Sequence, residues 1–176
     1  GSGAEFMPCL INTLVLAFIS VPVSIIIALL ISVALNSIKV LQKAYQTVLF
    51  LPYLTNALAM GAVFATFFNI VAADPMDPNT YVTAGLVNQV LDVFGVSPIN
   101  WMNQGSSRVA NYFVLIIYST WSGLPFKILI LLGALQSVNK QYYDAAKVDC
   151  ASKVRTFWKI TVPMLSPMIS YVLITG

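Results

Sequence analysis

Side chains that could carry out acid–base, nucleophilic or metal chemistry are scarce in this chain of 176 residues. It contains no histidine, and its two cysteines, Cys9 and Cys150, lie far apart in the sequence. The six acidic residues all fall outside the long apolar segments, which therefore offer no carboxylate for general acid–base catalysis. The sequence also has no G-x-x-x-x-G-K-[ST] phosphate-binding loop. We therefore expect no enzymatic activity, no metal site and no cofactor.

One charged side chain does fall within an apolar segment. Lys127 lies inside residues 109–138, and a charge within the membrane usually has a function because its desolvation is costly. Lys127 is therefore a candidate residue of a transport pathway. Two other interpretations stay open: its ammonium reaches the membrane surface along its own flexible stem, or it pairs with another group in an assembly.

The composition predicts a membrane protein. Hydrophobic residues make up 59% of the chain and charged residues only 9%, whereas a soluble domain carries about 25% charged residues. The net charge of +3 is too small to indicate a nucleic-acid partner. We expect an all-α fold with the lipid bilayer as its solvent.

The apolar segments have the length of membrane-spanning helices, which need about 20 residues. The predicted spans cover about residues 10–35, 45–72, 109–138 and 160–176. Basic residues dominate the first and third connections, where residues 139–159 alone hold five Lys or Arg, while residues 73–108 hold three Asp and one Arg. Because basic loops stay in the cytoplasm, residues 73–108 are predicted to form an outer loop and residues 139–159 a cytoplasmic segment.

The outer loop is predicted to contain some structure of its own. Turn-forming Asp-Pro pairs occur at residues 74–75 and 77–78. Residues 85–94 place apolar side chains at helical spacing and end at Gly95, which predicts a short amphipathic helix. Trp101 and Met102 are expected at the membrane interface, where Trp is favoured.

Both ends of the sequence carry information about its origin. Residues 1–6, Gly-Ser-Gly-Ala-Glu-Phe, are typical of a cloning scar and are set aside. Residues 7–176 then form one membrane domain, and because the last residues stop inside an apolar run, we expect a piece of a longer protein.

The polar stretch at residues 142–167 separates two apolar segments. Its apolar residues fall in two short helical sets, Ala145 with Val148, and Ala151 with Val154 and Trp158. This pattern predicts two short helices joined at an elbow near Asp149-Cys150. A stripe this narrow could lie on the membrane surface or insert into a groove on a partner protein.

The same stretch resembles a known signature. In register, the chain has Asp144-Ala145-Ala146, Asp149, Ala151, Ser152, Phe157, Ile160, Thr161, Pro163 and Pro167. These residues resemble the "EAA" segment of binding-protein-dependent ABC importer permeases. The resemblance implies a polytopic transmembrane permease core, here truncated, in which residues 139–159 form a coupling helix that docks into a separate ATP-hydrolysing subunit. The residues it assigns to ATPase coupling are Asp144, Ala145, Ala146, Asp149, Cys150, Ala151, Phe157, Ile160 and Pro163.

The resemblance also implies roles for individual positions. Asp144 stands where the family usually has Glu, Phe157 and Ile160 would anchor the segment to the spans, and Pro163 would begin the next span, where proline costs little. Cys150 departs from the pattern, because the family has Gly at this elbow. Either the elbow is not left-handed, or Cys150 is a deliberate substitution.

Several further stretches resemble the carbohydrate-importer branch of this family, which includes the maltose and glycerol-phosphate permeases. The resemblance is carried by residues 12–13, 50–52, 85–88, 98–101, 121–126 and 133–137. In maltose-importer-like members the Trp-x-Gly-x-Pro-aromatic stretch lines the sugar site, so Ser122, Gly123 and Phe126 are candidate residues of a substrate pathway. Alternatively, Gly123 only forms a kink with Pro125, and Phe126 only packs.

The function that the resemblance implies is ATP-driven import of a sugar or sugar derivative by alternating access. The implied location is the prokaryotic cytoplasmic (inner) membrane. The implied partners are two ATP-binding subunits, a second permease subunit, an extracytoplasmic solute-binding protein and the lipid bilayer, with no nucleic acid. A secondary transporter or a channel is the alternative.

Overall fold

The chain folds into long helices and comprises two compact units. The computed structural model describes residues 2–38, 46–48, 51, 53, 57–74, 77–82, 85–103 and 105–175. One unit comprises residues 1–17 and 54–119, and the other comprises residues 18–53 and 120–176.

Three helices in the described residues are long and apolar enough to cross a membrane. Helix α1 runs over Ser2–Ser37 and helix α4 over Arg108–Ser137. The third candidate is the continuous helical stretch Lys153–Thr175. The predicted fold class, an all-α polytopic membrane protein, is confirmed.

The second predicted span corresponds to a shorter apolar helix. Helix α2 covers Ala57–Phe67, and much of the remainder of predicted span 45–72 lies outside the described residues. At its far end the prediction ran to Ala72, whereas the helix ends at Phe67 and the chain is already in a β-strand from Val71.

The predicted outer loop, together with the two residues before it, contains a small β-ribbon as well as a helix. Strands β1 (Val71–Asp74) and β2 (Asp77–Val82) pair antiparallel, with Val71 opposite Val82 and an irregularity between Ala72 and Asp74. The sequence indicated only turns here. The predicted amphipathic helix is present as α3, Leu86–Val93.

Trp101 is a correction to the sequence-based expectation. Its ring is buried in the core of the first unit, edge-on to Phe68 and stacked on Phe113, with both ring-centroid distances at 5.7 Å. The buried residues Ala110 and Val114 of α4 complete this core, and Val87 and Leu91 of α3 pack against it. The indole therefore lies within protein, because Phe68 and the first turns of α4 surround its ring and Asn88 Oδ1 accepts a hydrogen bond from the indole N–H.

The core of the second unit lies between the later part of α1, the later part of α4 and the last helix. Its buried members are Ala28, Leu35, Ile128, Leu131, Leu132, Leu135 and Leu165. Small buried residues on α1, at positions 20, 24, 28 and 32, recur every fourth residue and so lie on one face. Ser32 Oγ lies 2.7 Å from the carbonyl of Ala28 and 3.3 Å from that of Ile128, which shows how closely α1 and α4 approach.

The predicted cytoplasmic segment and the last predicted span form one connected element. Helix α5 covers Lys140–Val148, and helix α6 covers Lys153–Thr156. A π-helical turn at Phe157–Thr161 follows, and helix α7 continues over Val162–Thr175. The helix thus begins at Lys153 rather than at Pro163, because the wide π-turn precedes the proline and gives room for its ring in a continuous helix.

Candidate functional site

The candidate coupling segment is two helices joined by a hydrogen-bonded elbow. At the end of α5, the N–H of Ala151 donates to the carbonyl of Ala146 at 2.9 Å, and the N–H of Cys150 donates to that of Lys147 at 3.0 Å. This pair of bonds is a Schellman motif, which stops a helix when the residue after the cap adopts a left-handed conformation. The predicted position of the elbow, at residues 149–150, agrees with the structure.

Side-chain caps fix the starts of both helices. Asn139 Oδ1 accepts a hydrogen bond from the N–H of Gln141 at 3.0 Å and so caps the start of α5. Ser152 Oγ accepts from the N–H of Arg155 at 3.3 Å and caps the start of α6. Each cap satisfies an N–H that the helix leaves unpaired, which stabilises it by about 1 kcal/mol. The two short helices therefore have defined ends within a defined turn.

Cys150 takes the left-handed conformation that this motif requires, with φ of 51°. The alternative that the elbow is not left-handed is therefore wrong. A side chain in this region has its Cβ close to the following carbonyl, which costs about 1–2 kcal/mol for a residue other than glycine. The outer loop contains the same motif at the end of α3, where Gly95 takes the equivalent position with φ of 73°.

Replacing Cys150 by glycine is expected to stabilise the fold by about 1 kcal/mol, because glycine adopts this conformation without a clash. Thermal unfolding in detergent, followed by circular dichroism, would measure the difference. The matched control is Gly95→Ala, which should destabilise by a similar amount at the equivalent position. A Cys150→Gly variant no more stable than Cys150→Ala would contradict this account of strain.

The predicted coupling residues differ in how exposed their side chains are to solvent. Asp144 is exposed and pairs with Lys147 across one turn, with an N–O distance of 2.9 Å, an arrangement worth less than about 1 kcal/mol at such exposure. Ala145 faces solvent, whereas Ala146 is buried. The small size of Ala146 thus serves packing within the elbow, and Ala145 is the small residue that a partner could approach.

Large apolar side chains flank the elbow on its exposed side. Val148 ends α5 and is 82% exposed, Val154 in α6 is 69% exposed, and Trp158 in the π-turn is 63% exposed. We call these three residues the elbow surface. Exposed apolar residues grouped on one segment are typical of an interaction site. The sequence pattern indicated all three, since each belonged to one of the two predicted apolar sets.

The elbow is attached to the last span through its inner side. Tyr143 of α5 and Thr161 of the π-turn approach to 3.3 Å between their hydroxyl oxygens. Phe157 and Ile160 are both half-buried, and Phe157 contacts the ring of Trp158 edge-on at 5.3 Å. An open groove of about 540 Å³ lies beneath the elbow, lined by Val33, Tyr143, Lys147, Cys150, Ala151, Lys153, Thr156, Phe157 and Thr161.

Lys127 is buried against helix α1 in the second unit. Its Nζ donates to Ser24 Oγ at 2.6 Å, and Ser24 Oγ in turn lies 2.8 Å from the carbonyl of Val21. Among the described residues, Ser24 is the hydrogen-bond partner of this ammonium, and no described carboxylate lies within salt-bridge distance. The ammonium therefore stays buried and does not reach the membrane surface. It forms no ion pair with an acidic group among the described residues.

The other candidate pathway residues lie within five positions of Lys127 on helix α4. A Cβ placed on Gly123 would lie 3.2 Å from Lys127 Nζ, so glycine leaves space for the ammonium. Ser122 and Phe126 are exposed, and Phe126 stacks on Tyr53 with ring centroids 6.4 Å apart. Gly123 thus contacts the lysine that the sequence singled out separately, while Ser122 and Phe126 remain on the surface.

Removing Ser24 is expected to be more costly than removing Lys127. Ser24→Ala leaves a buried ammonium without its hydroxyl acceptor and should destabilise the fold by about 2 kcal/mol. Lys127→Met removes the charge and retains most of the side-chain volume, which is typically neutral or stabilising. Thermal unfolding of both variants in detergent would compare them. Equal destabilisation by the two substitutions would contradict the role given to Ser24.

Ser24, the hydrogen-bond partner of Lys127, is a candidate-site residue that the sequence did not single out. The signal was the four-residue spacing of Ser20, Ser24, Ala28 and Ser32, which is typical of a close helix–helix contact in membranes. A similar spacing at Ala57, Gly61 and Ala65 is also present. Spacing alone does not distinguish which of the two stripes faces a charged side chain.

Comparisons with known proteins agree with this description. The family described as "Binding-protein-dependent transport system inner membrane component" matches residues 20–175. A probable ABC transporter permease protein of Mycoplasma genitalium is 34% identical over 97% of this chain and 48% of its own length. The arabinooligosaccharides transport system permease protein AraP of Bacillus subtilis is 32% identical over 96% of this chain and 50% of its own length.

The fold also matches a solved structure. A crystal structure of a bacterial ABC transporter involved in the import of the acidic polysaccharide alginate superposes with a TM-score of 0.75 and 24% identity, over 93% of this chain and 53% of that chain. The chain spans about half the length of the curated relatives it matches. The family match favours a component of a binding-protein-dependent transport system over a secondary transporter or a channel. The chain belongs to the inner membrane components of binding-protein-dependent transport systems, multi-pass proteins of the cytoplasmic membrane.

Proposed function

We propose that this chain is part of the permease subunit of an ATP-driven saccharide importer, in which residues 139–159 couple ATP hydrolysis by a partner to movement of the spans. The observation that carries the proposal is the elbow: two capped helices, a left-handed turn and three exposed apolar side chains in the predicted cytoplasmic segment. A docking element needs an exposed apolar surface and a fixed shape, and this segment has both.

A force applied to the elbow would pass to the last span through covalent and packed connections. The helix is continuous from Lys153 through the π-turn to Thr175, so displacement of α6 displaces α7. The hydroxyl contact between Tyr143 and Thr161 ties α5 to the same helix. Two ATP-binding subunits that close on ATP would move two such elbows together and change which side of the membrane the spans open toward.

The transported class is a saccharide in this proposal. The support is the resemblance of several segments to carbohydrate importers, together with the name of the arabinooligosaccharide permease relative. Ser122, Gly123 and Phe126 remain the proposed pathway residues, since an aromatic ring beside small and polar groups suits a sugar. An extracytoplasmic solute-binding protein would deliver the sugar, and a second permease subunit would complete the pathway.

Reconstitution tests the proposal directly. The chain within its full-length permease, assembled with candidate ATP-binding subunits and a second permease subunit in vesicles, should take up a labelled oligosaccharide only with ATP and a solute-binding protein. The ATP-binding subunits should co-purify with the permease. This co-purification should be lost when Ala145 is replaced by Trp. Co-purification that survives Ala145→Trp and Val148→Glu together would contradict the coupling role of the elbow.

A further inference from the structure

Helix α3 in the outer loop has three distinct sectors around its axis. Val87, Asn88 and Leu91 face inward, where Asn88 is fully buried and the other two pack on the core of the first unit. Gln89 and Asp92 lie on a second, exposed sector. The third sector is also exposed but entirely apolar; it consists of Leu86, Val90, Val93 and Phe94, which are 53%, 55%, 84% and 77% exposed.

The spacing of these exposed apolar residues makes them one continuous stripe. They stand at positions i, i+4, i+7 and i+8, which share one side of an α-helix. We call them the α3 stripe. Such a helix needs three environments: protein for the inward sector, water for the polar sector and an apolar medium for the uncovered apolar sector. The boundary between lipid and water provides both water and an apolar medium.

The N-terminal end of α3 is fixed at the end of a predicted span. The N–H of Gly85 donates to the carbonyl of Asn69 at 3.0 Å, two residues after α2 ends. A Cβ on Gly85 would lie 2.4 Å from the carbonyl oxygen of Phe67, so this approach requires glycine. Helix α3 therefore starts at the depth at which α2 finishes.

The inward side of α3 is fixed at the beginning of another span. Asn88 binds the backbone of Ile99, and Trp101 of the same segment packs with Ala110 and Val114 in the first turns of α4. Helix α4 opens with the charged residue Arg108, followed at once by Val109, which is largely exposed. The exposed apolar surface of α4 thus begins at the level at which α3 is held.

We infer that the α3 stripe lies in the outer leaflet at the boundary between headgroups and acyl chains, so that α3 is an interfacial lipid anchor of the outer loop. Its position between the end of α2 and the start of α4 sets this depth. The stripe carries no charge, as expected for a surface in contact with lipid. Gln89 and Asp92 lie on the adjoining sector, as expected for a surface in contact with water. This inference concerns a lipid surface and does not depend on the transported substrate.

Spin labelling tests where each sector lies. Single cysteines at Val93 and Phe94, with matched controls at Gln89 and Asp92, are labelled in a Cys9→Ser, Cys150→Gly background. The protein is placed in vesicles of phosphatidylethanolamine and phosphatidylglycerol. Collision with oxygen, which concentrates in lipid, is compared with collision with a water-soluble nickel chelate. We expect oxygen to dominate at residues 93 and 94, and the nickel chelate to dominate at residues 89 and 92.

Two results would overturn the inference. If residues 93 and 94 collide with the nickel chelate as often as residue 92 does, the stripe faces water. If labels at 93 and 94 are shielded from both reagents in the assembled transporter, a protein surface covers the stripe, either the rest of the permease or the solute-binding protein. Repeating the measurement with and without the solute-binding protein identifies which of these covers it.

Discussion

Val148→Glu is expected to reduce ATP-coupled uptake by about tenfold or more while leaving the permease folded in the membrane. Val148 is the last residue of α5 and the most exposed member of the elbow surface. If the elbow docks into an ATP-binding subunit, this side chain becomes buried there, and loss of a central apolar contact costs about 2 kcal/mol or more. A carboxylate adds the cost of burying an unpaired charge. Uptake of labelled oligosaccharide by reconstituted vesicles would measure the effect.

Two control variants distinguish a loss of docking from a loss of folding and from a general effect of added charge. Val148→Met keeps an apolar side chain at the same position and should retain uptake. Gln136→Glu adds the same charge at an exposed position near the end of α4, outside the elbow surface, and should also retain uptake. If Val148→Glu leaves both co-purification of the ATP-binding subunits and uptake intact, Val148 does not dock.

The elbow shows how much the sequence could predict. The two apolar sets of the segment predicted two helices and the break between them, because helical periodicity restarts after Asp149. The inward direction of Ala146 could not be predicted, since alanine fits a buried or an exposed site equally well. The handedness at Cys150 depends on backbone hydrogen bonds that the sequence does not show. Local preference disfavours it, and the hydrogen bonds of the Schellman motif outweigh that preference.

The outer loop shows the complementary case. Its helix was predictable from spacing, but the burial of Trp101 depends on a partner in another segment. Asn88 lies 13 positions earlier in the sequence, and only the folded loop brings its amide next to the indole. The same limit applies to Lys127, whose partner Ser24 is 103 positions away. Patterns within one segment predict elements, whereas pairs between segments require the fold.

Asn88→Leu is expected to destabilise the first unit by about 3 kcal/mol. The Asn88 amide makes three hydrogen bonds: Oδ1 accepts from the N–H of Ile99 at 3.1 Å and from Trp101 Nε1 at 3.0 Å, and Nδ2 donates to the carbonyl of Ile99 at 3.1 Å. Leucine has a similar shape but leaves all three partners unsatisfied, and each buried unsatisfied group costs about 1–3 kcal/mol. Thermal unfolding in detergent, followed by circular dichroism, would measure the loss.

The neighbouring residue supplies the matched control for this substitution. Gln89 is exposed on the same helix, so Gln89→Leu changes an amide to the same apolar side chain without removing a buried hydrogen bond. Its effect should stay within about 0.5 kcal/mol, as is usual for surface positions. Equal unfolding temperatures for the two variants would mean that the Asn88 network does not hold the outer loop together. A selective loss for Asn88→Leu would instead mean that this buried amide stabilises the positions of α3 and Trp101 in addition to their apolar packing.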